Sequence, residues 1–283
     1  MISDFLVYLL TVIAAYSILV ASLNLAVGFT GLVNLGHMVF FGIGAYASAI
    51  LTVNGMPWYF EMPIAALLAC IAGTFIAAIT VRLKGDYFQI VTIGLIFMAI
   101  AVSRNWISLT RGALGIPGVP KILSDNLHYM LFSWAIAGFS LFFLYKLVNS
   151  ETGKIFQAIR DDETAAAVLG KNTYFYKVLS IAISTFFAGL AGSLYVHYVN
   201  FIDPTIFDLG FFILILSMLF TGGLASIKGS VVGVFSLSIL TELVKYVPIS
   251  DELVGAFRVM LFIVVMILIL IFKPRGIFGK VDV

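Results

Sequence analysis

Residues 5–52 read FLVYLLTVIAAYSILVASLNLAVGFTGLVNLGHMVFFGIGAYASAILT. Two apolar runs, near 5–27 and 31–52, meet at the polar, glycine-rich stretch Gly28-Phe29-Thr30-Gly31-Leu32-Val33-Asn34-Leu35-Gly36-His37. Each run has the roughly 20 residues that a helix needs to cross the hydrocarbon layer. Neither alternates in polarity as a barrel strand does. Lipid offers backbone N–H and C=O groups no partner, so both runs must be helical, and the polar stretch between them needs its backbone satisfied by protein or water. The first 81 residues hold no Lys or Arg, so no basic segment precedes the first run, and we read it as a retained span.

The same reading extends outward along the chain, with further apolar runs near 63–81, 87–103, 129–148, 178–199, 207–224, 230–247 and 254–272. The expected fold is an all-α, polytopic membrane bundle of about 8 to 9 transmembrane helices. The whole of 1–283 forms one transmembrane domain. Composition agrees: 62% apolar and 11% charged residues with a mean hydropathy of +1.13, against about 25% charged in soluble domains. The formal charge of +2 is small and scattered, which excludes a nucleic-acid surface. The single cysteine, Cys70, has no disulfide partner and lies in an apolar run, where packing is its expected role.

Short loops rich in Lys and Arg stay in the cytoplasm. The stretch 146–177 and the C-terminal tail are the most basic, and parity places eleven basic residues inside and five outside. The N-terminus is then external for nine full spans, and internal if the second segment is re-entrant. A second glycine-interrupted stretch, Thr221-Gly222-Gly223-Leu224-Ala225-Ser226-Ile227-Lys228-Gly229, echoes the first. Paired interruptions of this kind can mark inverted repeats whose broken helices line a pathway; the alternative is a pair of ordinary inter-helix turns. Gly36, Gly42, Gly44, Gly189 and Gly192 read as close-packing positions. His37 and His197 are candidate proton-relay groups, against which stands their place near expected span ends, where histidine is inexpensive; Glu242 with Lys245 reads as a paired helix face. The span interiors otherwise lack Asp, Glu, Lys and Arg, which argues against a proton pump or cation-coupled carrier.

The longest cytoplasmic stretch, 150–177, should contain one short helix, capped by Asp161 or Asp162, propagated through Ala165 to Leu169 and ended at Gly170. So short a helix must dock on something. No phosphate loop, nucleophile elbow or paired intramembrane carboxylates occur, so the chain is not expected to be an enzyme and has no visible nucleotide or metal site.

Six stretches carry a resemblance: SLNLAVGFTGLVNLGHMVFFGIGAYASAIL (22–51), KGDYFQIVTIGLIF (84–97), LTRGALGIPGVP (109–120), IRDDETAAAVLGKNTYFYKVLSIAISTFFAGLAGSLY (159–195), FTGGLASIKGSVVG (220–233) and FKPRGIFG (272–279). In this order, over nearly the whole chain, they resemble permease subunits of branched-chain amino acid ABC importers of the LivM type. The resemblance implies a prokaryotic inner-membrane protein with four kinds of associate: a second homologous permease, two cytoplasmic ATPases that bind ATP and Mg, an external solute-binding protein, and lipid. It implies import of leucine, isoleucine and valine by alternating access. It assigns ATPase coupling to Arg160, Asp161, Glu163, Ala165, Ala166 and Gly170, although the Glu-to-Ala-Ala offset departs from the general importer signature. Both lines together give Thr30, Gly31, Asn34, Thr221, Gly222, Gly223 and Ser226 as the substrate pathway. The loop 104–128 is then a docking surface for the binding protein. Urea and other small solutes remain alternative cargo on the same machinery, and a self-sufficient secondary transporter or channel remains the alternative class.

Overall fold

The computed structural model describes residues 2–83, 85–243 and 251–281. Twelve helices occur there in chain order. The first six are α1 (Ile2–Asn24), α2 (His37–Val53), α3 (Trp58–Thr80), α4 (Asp86–Asn105), the single turn α5 (Ile107–Thr110) and α6 (Asn126–Val148). They are followed by α7 (Glu151–Asp161), α8 (Glu163–Val168), α9 (Thr173–Val199), α10 (Leu209–Gly222), α11 (Ile227–Leu243) and α12 (Asp251–Phe272). Five segments, Asp4–Phe29, α3, α4, α6 and α9, are long and apolar enough to cross a membrane on their own; α2 and α10 are shorter apolar helices.

The expected second span starts later than its apolar run. Residues 31–36 are not helical, because α1 ends in a π-helical turn, Leu25–Phe29, and Gly31 turns the chain at φ +74°. Thr30 closes that turn by donating to the Leu25 carbonyl at 2.9 Å, five residues back. From His37, α2 extends to Val53, and Ile50 and Val53 line a cleft with Ile116 and Pro117 at the far end.

Helix α9 is the axis, packed against α1, α2 and α3. At about 1.5 Å per residue its 27 residues extend about 40 Å. Without a hydrophobic force between helices in lipid, close approach has to come from small residues. A Cβ added to Gly44 would lie 2.3 Å from the Gly189 carbonyl oxygen, and one on Gly192 would lie 2.1 Å from that of Phe41. Outer faces of α3, α4 and α6 expose Phe75, Phe97 and Phe139, as expected of surfaces turned to lipid or another subunit.

One end of the bundle, here the basic end, carries α7 and α8 with Arg82, Lys146, Lys154, Arg160, Lys171, Lys177, Lys228, Lys273, Arg275 and Lys280. The 150–177 segment holds two helices, not one. Ser150 caps α7 by accepting from Gly153 N, Asp162 caps α8 by accepting from Ala165 N at 2.9 Å, and Gly170 ends it at φ +78°. The extra helix α7 went unread because its sequence is polar enough to resemble a loop. At the far end, the loop after α4 is ordered into α5, a 3₁₀ turn (Gly112–Leu114) and a strand β1 (Ile116–Pro117), paired antiparallel with β2 (Phe201–Ile202) after α9. Lys84, and Lys245 of the expected pair with Glu242, lie outside the described residues.

Candidate translocation and coupling site

The two interrupted segments meet. Asn24, the last residue of α1, donates through Nδ2 to Gly223 O (3.3 Å), Ser226 O (3.1 Å) and Ser230 Oγ (2.8 Å), and its Oδ1 accepts from Ala225 N at 3.0 Å. One buried amide thus satisfies the turn between α10 and α11, whose backbone would otherwise be orphaned at a cost of about 1–3 kcal/mol per group. The C-terminal segment closes over the same turn: Ile277 N, Phe278 N and Lys280 N donate to the carbonyls of Thr221, Gly222 and Leu224. The glycine pattern was legible; the Asn24 contact, 199 to 206 residues away in sequence, was not. Its signal was an amide in the middle of the apolar run SLNLAVG.

The pathway residues divide between packing and open space. Gly222 and Gly223 are packing positions: added Cβ atoms would lie 2.0 Å from Gly229 O and 2.3 Å from Gly279 N. Asn34 is buried and accepts from Gly36 N, and Thr221 Oγ1 is buried with no partner among the described residues. Thr30 and Gly31 line a cleft of ≈ 360 Å³ at the basic end, together with Phe88, Ile159, Arg160 and Lys177. Ser226 lines a separate one of ≈ 300 Å³ with Tyr145, Gln157 and Lys228.

The coupling residues divide as well. Asp161, Ala165 and Gly170 are exposed and Glu163 is half-buried, its carboxylate 2.5 Å from Lys177 Nζ. Ala166 is only 2% exposed. Arg160 points inward, with a side chain 15% exposed that donates to Gly28 O at 2.9 Å and holds Asp161. At the end of α8, Val168 is 82% exposed, and Leu169, just beyond it, is 77% exposed.

Near the far end lies a cluster of which the sequence reading named only His197. Glu61, in the first turn of α3, and His197, near the end of α9, are both fully buried, with Oε2 and Nε2 2.9 Å apart. The expected third span began at residue 63 and left Glu61 in a loop; the structure starts α3 at Trp58, with Pro57 as its cap. A fully buried carboxylate therefore lies in the first turn of this span. Ser193 donates to Glu61 Oε1 at 3.2 Å, Ser48 contacts His197 Nε2, and His197 Nδ1 faces Pro120 O at 2.7 Å. A carbonyl only accepts, so Nδ1 carries a proton, and a second proton is held between Nε2 and Oε2 whether the pair is neutral or ionic. His37 is likewise buried, with Nε2 3.0 Å from Ser22 Oγ.

The sequence profile of the family described as branched-chain amino acid transport system / permease component matches residues 5–270. The chain belongs to this permease family. It is 28% identical to the high-affinity branched-chain amino acid transport system permease protein LivM of Escherichia coli strain K12, over 98% of this chain and 70% of that protein. It is 26% identical to a probable branched-chain amino acid transport permease protein LivM of Methanocaldococcus jannaschii, over 92% and 89%. A solved structure of PsaBC from Streptococcus pneumoniae in complex with Fab is similar at 16% identity and TM-score 0.48, over 95% of each chain. The permease is a multi-pass, helical membrane protein.

Proposed function

We propose that this permease is the membrane subunit of an ATP-driven importer that moves leucine, isoleucine and valine by alternating access. Separate ATPase subunits bind ATP and Mg, a second homologous permease completes the membrane part, and an extracytoplasmic binding protein delivers substrate. The observation that carries the reading is the α7–α8 segment. A six-residue helix cannot hold itself together in water, yet Val168 at the end of α8 and Leu169 just after it are presented to solvent instead of docking on the bundle. That is the surface of an element built to seat in a partner, in a chain without a phosphate loop of its own.

The basic end then faces the cytoplasm, since all ten of its described Lys and Arg side chains lie there while Arg104, Arg111 and Lys121 lie at the far end. The β1–β2 end faces the binding protein. The whole chain acts as one permease domain with 150–177 as its coupling loop, and the cleft at Thr30 and Gly31 lies on the substrate's exit route. Nucleotide drives transport only through its different affinity for the two bundle states.

The test is purification in mild detergent with identification of what remains bound, followed by reconstitution with the neighbouring binding protein. A second permease and ATPase subunits, with ATP-dependent leucine uptake, are expected. Uptake by this chain alone, without ATP, would replace the reading with a secondary transporter or channel.

A further inference from the structure

We propose that Arg160 is a positioning residue that ties the coupling segment to the break in α1, so that movement of α7 and α8 is delivered into the membrane domain. The proposal rests on the reading of α7–α8 as the element on which the ATPases act. It departs from the expectation that Arg160 touches the ATPase, because its side chain is turned away from the exposed face of α8 and is largely covered.

Two contacts make the tie. Gly28 lies in the π-helical turn Leu25–Phe29 that follows α1, a helix end whose carbonyls lack helical donors, and Arg160 Nη1 supplies one at 2.9 Å. Gly31, at φ +74°, lies directly against α7: a Cβ there would be 3.0 Å from Arg160 Cγ and 3.3 Å from its Cα. The guanidinium is aimed by its neighbour, since Nε and Nη2 both reach Asp161 Oδ1, at 2.9 and 2.8 Å. A lysine has its three donors on a single nitrogen in place of this planar fork, so it cannot reproduce the fixed geometry that the guanidinium presents to both partners.

Beyond Gly28 the connection continues. An added Cβ on Gly28 would meet Asn24 Oδ1 and lie 2.5 Å from Ala225 N. Asn24 in turn holds Gly223, Ser226 and Ser230. Displacement of α7 therefore acts on the π-helical turn of α1 and, through it, on the turn between α10 and α11. At both places the bundle's helices are interrupted and poorly able to resist bending.

The experiment compares leucine taken up per ATP hydrolysed in proteoliposomes holding the whole complex, with leucine-loaded binding protein, for wild type, Arg160→Met and Arg160→Lys. Met keeps the aliphatic stem and loses every donor. The expected result is normal co-purification of the ATPases and continued ATP hydrolysis by the Met variant, with uptake per ATP down about tenfold and partly restored by Lys. An unchanged ratio in the Met variant overturns the proposal, and so does loss of the ATPases from it, which would make Arg160 a docking residue. Should the Met variant not fold, Arg160→Gln, polar but too short to reach Gly28, is read by the same ratio. A wild-type complex whose uptake is independent of ATP would overturn both this proposal and the reading beneath it.

Discussion

At the scale of single residues, the strongest commitments are buried polar groups. Glu61 and His197 are both sealed from solvent and, among the described residues, are satisfied by each other, two serines and the Pro120 carbonyl. Removing one partner of such a pair costs about 3–5 kcal/mol, because the other stays buried without compensation. Glu61→Ala should therefore lower the unfolding temperature of the purified subunit markedly, whereas Glu61→Gln, whose amide still donates to a neutral imidazole, should retain most of it. Equal unfolding temperatures for wild type and the Ala variant would rule out a stabilising pair. Asn24 invites a parallel test. Asn24→Asp has the same shape but replaces the donor facing Gly223 O, Ser226 O and Ser230 with an acceptor. Proteolysis near residue 223 should become faster in that variant, and unchanged cleavage would mean that the turn holds itself.

At the scale of elements, the close helix pairs depend on missing side chains. Gly44→Val would drive a side chain into the Gly189 backbone, an overpacking that costs about 1–3 kcal/mol where the helices can separate. Gly94 and Gly138 have open space around an added Cβ, so Ala there should be neutral or stabilising by up to about 1 kcal/mol. Thermal unfolding of the three variants checks the contrast; equal effects would mean that α2 and α9 do not rely on contact at Gly44. The start of α6 carries a pH dependence. Asp125 accepts from Leu127 N and from His128, and the His128 hydrogen bond, with that of the Leu127 amide, holds its carboxyl below the usual carboxylate range. A depressed folded value means that the cap's contribution is present above the ordinary carboxylate pKa and is lost as pH falls through the folded value. Amide exchange at Leu127 should match that of Asp125→Ala only in acid below the usual carboxylate range. Loss of protection already at mildly acidic pH would contradict this.

At the scale of the whole molecule, the coupling surface is the testable feature. Ala166→Glu is a poor probe, since Ala166 is buried and a charge there would disturb the loop's own docking. Leu169→Glu alters an exposed residue, so the bundle should fold and unfold as wild type while ATPase co-purification falls about tenfold or more, the loss expected of an apolar anchor. Full retention of the ATPases would move the contact elsewhere.

What the sequence determined by itself was the class of architecture and the C-terminal ends of most spans. Lipid leaves an apolar run of sufficient length no conformation but the helix, so the spans near 129–148, 178–199 and 254–272 are legible whatever they pack against. The cap at Asp162 and the turn at Gly170 were legible for a similar reason: both are settled within a few residues. Only the tertiary structure decided which residues face inward. Arg160 turns from the partner surface to Gly28, 132 residues away, Glu61 finds His197 across 136, and Asn24 holds a turn some 200 residues on. Such pairings leave no period or spacing in the chain. They exist because lipid will not solvate a stray polar group, and the folded bundle alone determines which other group is near enough to do so.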